Sequence, residues 1–100
     1  MAPFAAHSSK TYPEDLMQTL IEKICNINSG NQVILFGAPG SQQEQLKQWC
    51  GNSTQLKTNA GLSLDKELVL MTQLDLMISM DSANGHMAAN VGVPVITLWG

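Results

Sequence analysis

The sequence predicts an α/β fold: a parallel sheet with helices on both of its faces. Three observations carry this. Short apolar runs rich in β-branched residues alternate with segments of helical periodicity. The runs Gln32-Val33-Ile34-Leu35-Phe36 and Leu76-Met77-Ile78-Ser79-Met80 are apolar nearly throughout, the pattern of strands covered on both sides. The intervening helical stretches are long enough to serve as crossovers between parallel strands.

Taken in order, Ala2 to Ala6 reads as a short strand, followed by the polar loop His7-Ser8-Ser9-Lys10-Thr11. Pro13 suits the first position of a helix, with Glu14 and Asp15 favoured in its first turn by the helix dipole. Leu16, Met17, Leu20, Ile21, Ile24 and Ile27 then form one apolar face, and Asn28-Ser29-Gly30 stops it. After the strand ending at Phe36, Gly37 to Gly40 turns the chain. Ser41-Gln42-Gln43-Glu44 has the spacing of a capping box opening a second helix with Leu46, Trp49 and Cys50. Gly51-Asn52-Ser53 closes that helix, and a strand over Gln55 to Thr58 is weakly marked. Ser63 caps a third helix, with Leu64, Leu68, Met71 and Leu74 near one face. The strand through Met80 leads at Asp81-Ser82 into a fourth helix reaching Val91, stopped by Gly92, and Val93 to Trp99 forms a last strand. Trp49, Met71 and Met77 are expected in the core.

Composition narrows the function. The chain has 100 residues, 44% hydrophobic and 13% charged, with formal net charge −3. It contains no arginine, which argues against a nucleic-acid surface. No apolar run approaches a membrane span, and the start lacks a signal-like segment. Cys25 and Cys50 form no C-x-x-C pair, so neither a disulfide nor a zinc framework is indicated. A cytoplasmic, reduced protein is the expectation. Both ends fall against strands, which reads as one domain, residues 1–100, of a larger two-domain protein.

A sheet of this kind binds its ligand beyond the carboxyl ends of its strands. There Asp81-Ser82-Ala83-Asn84-Gly85-His86 joins a strand to a helix, whose free N–H groups offer an anion site. His86, in the first turn, can donate to a phosphate or sugar hydroxyl. Structural readings stand beside these. Asp81 or Ser82 can serve as a simple helix cap, Glu44 as a capping-box member, and Lys10 as a solvated loop lysine. A His7–His86 metal pair lacks a third ligand, and no metal site is expected. Gly37-Ala38-Pro39-Gly40 has neither dinucleotide-fingerprint nor P-loop spacing. The acidic cluster expected of a flavodoxin-like or response-regulator domain after the first strand is also missing.

The run Asp81-Ser82-Ala83-Asn84-Gly85-His86-Met87-Ala88-Ala89, then Gly92-Val93-Pro94, then Leu98-Trp99-Gly100, resembles the signature of family 9 glycosyltransferases, which include ADP-heptose:lipopolysaccharide heptosyltransferases. Pro3-Phe4-Ala5 with Lys10-Thr11-Tyr12-Pro13, and Val33 to Gly37 with Glu44, fit the family's order. The resemblance implies the Rossmann-like, donor-binding C-terminal domain of a two-domain GT-B enzyme. Lys10 would neutralise the donor diphosphate beside Ser8, Ser9 or Thr11. Ser82 and Ala83 would hold phosphates, Asp81 and His86 would contact sugar or phosphate, Glu44 would reach the ribose, and Ala60, Gly61 and Leu62 would line the base pocket. One departure is Ala83, where the family commonly carries glycine; alanine penalises positive φ. The implied reaction is an inverting transfer of a sugar, heptose by the resemblance, from a nucleotide-diphosphate sugar to a lipopolysaccharide-type acceptor. It needs no cofactor, and no D-x-D motif occurs here, in keeping with metal independence. The resemblance also implies an enzyme peripheral to the inner membrane, with acceptor and general base in another domain. These residues alone would then be inactive. Another GT-B sugar-nucleotide enzyme, or a non-catalytic nucleotide-binding module, are the alternatives.

Overall fold

The computed structural model describes residues 1–4, 13–80 and 83–98, with the side chains of Ala83 and Asn84 excepted. Among the described residues four helices and four strands alternate: α1 (Glu14–Ile27), β1 (Val33–Leu35), α2 (Ser41–Cys50), β2 (Leu56–Thr58), α3 (Leu64–Thr72), β3 (Met77–Ser79), α4 (Ala83–Asn90) and β4 (Val95–Thr97). β1 pairs in parallel with β2, Val33 opposite Leu56, and β3 in parallel with β4, Met77 opposite Val95.

The opening segment joins the two pairs. Met1 N donates to Ile34 O at 2.6 Å, and Phe36 N donates to Met1 O at 2.8 Å. On its other edge Ala2 N donates to Ile78 O at 2.9 Å, and Met80 N to Ala2 O at 3.1 Å. The spatial order is therefore β2, β1, opening segment, β3, β4. The chain steps outward on one side of the opening segment and then returns to build the other, a reversal of direction at the sheet's centre.

Alternation of side chains sends two sets of residues to two cores. Val33 and Leu35 face Met17 and Ile21 of α1 and Leu46 of α2; Phe36 and Met77 face Met71 of α3 and Ala88 of α4. Helices thus cover both faces, as the apolar strands require. Cys25 and Cys50 pack around the first core, and burial raises both thiol pKa values, so neither is primed as a nucleophile.

Several boundaries differ from expectation for identifiable reasons. Pro13 stands one position before α1 in extended conformation (ψ 132°), its carbonyl accepting from Met17 N. The apolar stripe of α1 is narrower than its spacing suggests, for Leu16 and Ile27 are exposed at its two ends. Gln55 closes the far end of α1 instead: its Nε2 donates to Cys25 O and Asn31 O at 3.1 and 2.9 Å. In α3, Leu64 is solvent-exposed while Leu70 joins Met71 and Leu74 in the second core. Trp49 is half-buried, its ring 5.8 Å from that of Phe4. Ser63 does cap α3, accepting from Lys66 N at 3.4 Å. Gly92 does end α4 with φ +85°, a conformation glycine adopts without a Cβ penalty. Val93 N there donates to Ala88 O and Gly92 N to Ala89 O, the paired bonds of a Schellman stop.

Candidate functional site

The loops that leave the carboxyl ends of the strands share one edge of the sheet. Most of the expected donor-site residues belong to these loops or to the helix turns they enter. Ser8, Ser9, Lys10 and Thr11, after the opening segment, and Asp81 and Ser82, after β3, lie outside the described residues.

Glu44 lies in the first turn of α2, which begins where Gly37 to Gly40 turns the chain away from β1. The expected capping box is absent. Gly40, at φ +100°, takes the cap position, and Ser41 is already the first helical residue, with no side-chain cap bond. The turn is held by other side chains. Gln42 Oε1 accepts from Ala38 N at 2.8 Å, and Gln43 Nε2 donates to Gly37 O at 3.1 Å. Glu44 itself is exposed and, among the described residues, its carboxylate meets Lys47, 3.6 Å away across one helical turn. An exposed pair of this sort stabilises little. Glu44→Ala should therefore leave Tm within the shift expected of about 0.5 kcal/mol, readable by thermal unfolding.

Gly61 and Leu62 follow β2. Gly61 has φ +82°, and Leu62 N donates to Asn59 O at 3.2 Å, closing the turn that carries both. Leu62 also lines an open groove of about 400 Å³ along α3, with Val69 and Leu70. A second hollow, of about 520 Å³, runs between Gly30–Gln32 and Leu74–Leu76, at the amino ends of β1 and β3 and thus away from this edge.

Asn59, which the sequence reading passed over, ties the edge together. It is buried, 2% exposed. Its backbone N donates to Leu35 O at 3.1 Å. Its side chain brackets Gly37, with Oδ1 accepting from Gly37 N and Nδ2 donating to Gly37 O, both at 3.1 Å. Nδ2 also donates to Glu67 Oε1 of α3 at 2.7 Å. One amide thus fixes the ends of β1 and β2 and the helix beyond. The available signal was a polar residue directly after a strand, where a carboxamide can satisfy neighbouring backbone groups.

Ala83 opens α4, and His86 is an exposed residue of its first turns. No described non-glycine residue has positive φ, so alanine in place of the family's glycine carries no backbone strain. Beneath this turn Gly85 lies against Ser79, the last residue of β3. Among the described residues no three of His, Cys, Asp or Glu gather as a metal set, and no helix is long and apolar enough to cross a membrane.

Comparison with known proteins gives the edge its context. No curated protein sequence matches the chain. Among solved structures it matches the Escherichia coli heptosyltransferase WaaC with ADP, with TM-score 0.86 and 20% sequence identity. The match covers 99% of this chain and 32% of that one. Likeness at this identity speaks to the fold: short parallel strands and helices laid out as in a heptosyltransferase. The model of glycosyltransferase family 9 (heptosyltransferase) matches residues 1–100, from the opening segment through the last strand, and to that family the chain belongs.

Proposed function

We propose that these residues form the Rossmann-like, donor-binding domain of a two-domain GT-B glycosyltransferase that takes a sugar from a nucleotide-diphosphate donor. The end-to-end family match carries the reading. The edge just described supports it, with a helix start, an exposed carboxylate and a turn over an apolar groove at successive strand ends. The matched heptosyltransferase is described with ADP, which makes an ADP-sugar, a heptose in particular, the donor to test first. A lipopolysaccharide-type acceptor and a cytoplasmic site of action at the inner membrane complete the proposal.

The chemistry follows from charge. An acceptor oxygen attacks the anomeric carbon as the bond to the diphosphate oxygen breaks, inverting that carbon. The leaving diphosphate gains negative charge. Lys10, with Ser8, Ser9 and Thr11 beside it, supplies one counter-charge, and the backbone N–H groups of the Ser82–Ala83 helix start supply the other. These two together stand in for a divalent metal. Asp81 and His86 hold sugar or phosphate oxygens, Glu44 the ribose hydroxyls, and Gly61 with Leu62 the base. None of these acts as the general base that deprotonates the acceptor, so residues 1–100 alone should transfer no sugar.

Titration with ADP, UDP, CMP and FMN tests the donor site, with tightest binding expected for ADP. A preference for FMN would sink the transferase reading. Lys10→Ala should weaken ADP binding by about 1–3 kcal/mol, the scale of a charge-assisted hydrogen bond. Unchanged affinity in that variant removes Lys10 from the site.

A further inference from the structure

The two turns proposed to carry the nucleoside leave different strands. One runs from Gly37, past the end of β1, to Glu44; the other runs from Asn59, past the end of β2, to Gly61 and Leu62. The backbone ladder between these strands closes where Asn59 N donates to Leu35 O at 3.1 Å. Beyond that point the loops would part, and there the Asn59 side chain takes over. Its Oδ1 accepts from Gly37 N, and one Nδ2 hydrogen goes to Gly37 O, both at 3.1 Å. The other Nδ2 hydrogen goes to Glu67 Oε1 at 2.7 Å, and the Asn59 carbonyl accepts from Leu62 N at 3.2 Å. Both donors and the acceptor of the carboxamide are therefore in use. Gly37 is pressed from its other side by α2: a Cβ there would stand 2.8 Å from Leu46 Cδ1 and 3.2 Å from Gln42 Cβ. Ending a strand requires no bond that spans two loops, and this bracket joins the two that face the nucleoside.

We propose that Asn59, steadied by Glu67, is a positioning residue for the nucleoside half of the donor. It fixes the distance between the turn that leads to the ribose carboxylate and the turn that carries the base contacts. Holding both turns in place before binding spares the cost of ordering them on the ligand. The inference rests on the donor-site reading above. Asn59 is buried and touches no ligand, and the phosphate contacts of that reading come from the opening segment and α4. It should therefore govern binding of the nucleoside and not of the diphosphate.

The test is calorimetric titration of ADP, with adenosine and inorganic pyrophosphate read as its competitors, at a temperature well below the lowest Tm of the set. The set is the wild-type protein, Asn59→Ala, Glu67→Ala and Glu67→Gln. Asn59→Ala and Glu67→Ala should each weaken ADP and adenosine alike, by about five-fold, the worth of one modest hydrogen bond, with pyrophosphate unchanged. Glu67 is half-buried on α3, so Glu67→Ala carries the test by itself if Asn59→Ala does not fold. Glu67→Gln keeps an oxygen that accepts from Asn59 Nδ2 and should bind as the wild type does. Adenosine binding equal to wild type in the alanine variants would overturn the role. So would pyrophosphate falling in step with adenosine, the mark of lost structure alone. A loss in Glu67→Gln equal to that in Glu67→Ala would also overturn it, by placing the carboxylate itself on the ligand. Wild-type protein that binds no ADP would instead sink the donor-site reading, and the role of Asn59 with it.

Discussion

Asn59→Leu should lower stability by about 3 kcal/mol, which in a domain of this size displaces Tm by roughly 15 °C. Leucine matches asparagine closely in shape, so little packing is lost. What is lost is the bracket around Gly37. The Gly37 N–H, bonded to Asn59 Oδ1 at 3.1 Å, becomes a buried donor facing a methyl group. The Gly37 carbonyl keeps its bond from Gln43 Nε2 and is the smaller part of the loss. Glu67 loses the 2.7 Å bond that ties α3 to the sheet edge and is left half-buried beside an apolar group. Stranding a buried donor costs about 1–3 kcal/mol, and a carboxylate more than a neutral group. Equilibrium unfolding in urea measures the loss. A change below about 1 kcal/mol would mean that the amide is decoration on a turn held by other means.

How much of this was legible in the sequence depends on the reach of each interaction. The strands and helices were, because period-2 and period-3.6 patterns are local, and so were Ser63 and Gly92, which act within a few residues of themselves. That Glu44, Gly61, Leu62, Ala83 and His86 each follow the carboxyl end of a parallel strand is legible too, since it needs only the order of strands and helices. Ser41 falls inside α2 and not at its cap because cap spacing is compatible with two registers. The left-handed φ of Gly40 starts the helix one residue earlier than a serine cap would. Helical spacing overstates the apolar face of α1 because an apolar residue still needs a neighbour to be buried, and Leu16 and Ile27 are exposed. Asn59 escapes a local pattern because its bonds reach Gly37, 22 positions away, and the Ser79–Gly85 contact because it depends on how α4 folds back over β3. The central place of the opening segment, between β1 and β3, is likewise a matter of long-range pairing that no local pattern encodes.

Leu46→Ala should be about as damaging, at about 3 kcal/mol, and should reach the site by a different route. Leu46 is fully buried and is the one buried residue of α2, held among Met17, Ile21, Val33 and Leu35. Its Cδ1 would stand only 2.8 Å from a Cβ placed on Gly37, so it underlies the turn that leads into Glu44. Truncation opens a cavity in that spot, and α2 is left with the partly buried Trp49 and Cys50 at its far end and surface contacts such as Gln45 Nε2 to Glu14 Oε2 at 2.8 Å nearer its start. Exposed contacts hold the first turns weakly once the one fully buried side chain of α2 is truncated. The start of the helix should therefore shift, and with it the Glu44 carboxylate proposed to hold the ribose. ADP and adenosine should both weaken in Leu46→Ala, since the displaced carboxylate is the one proposed to hold the ribose they share. Leu46→Met conserves volume and should cost less than about 1.5 kcal/mol while retaining nucleotide affinity. If Leu46→Ala lost stability yet bound ADP and adenosine as the wild type does, α2 would carry no part of the nucleoside contact, and Glu44 would be a surface carboxylate like its neighbours.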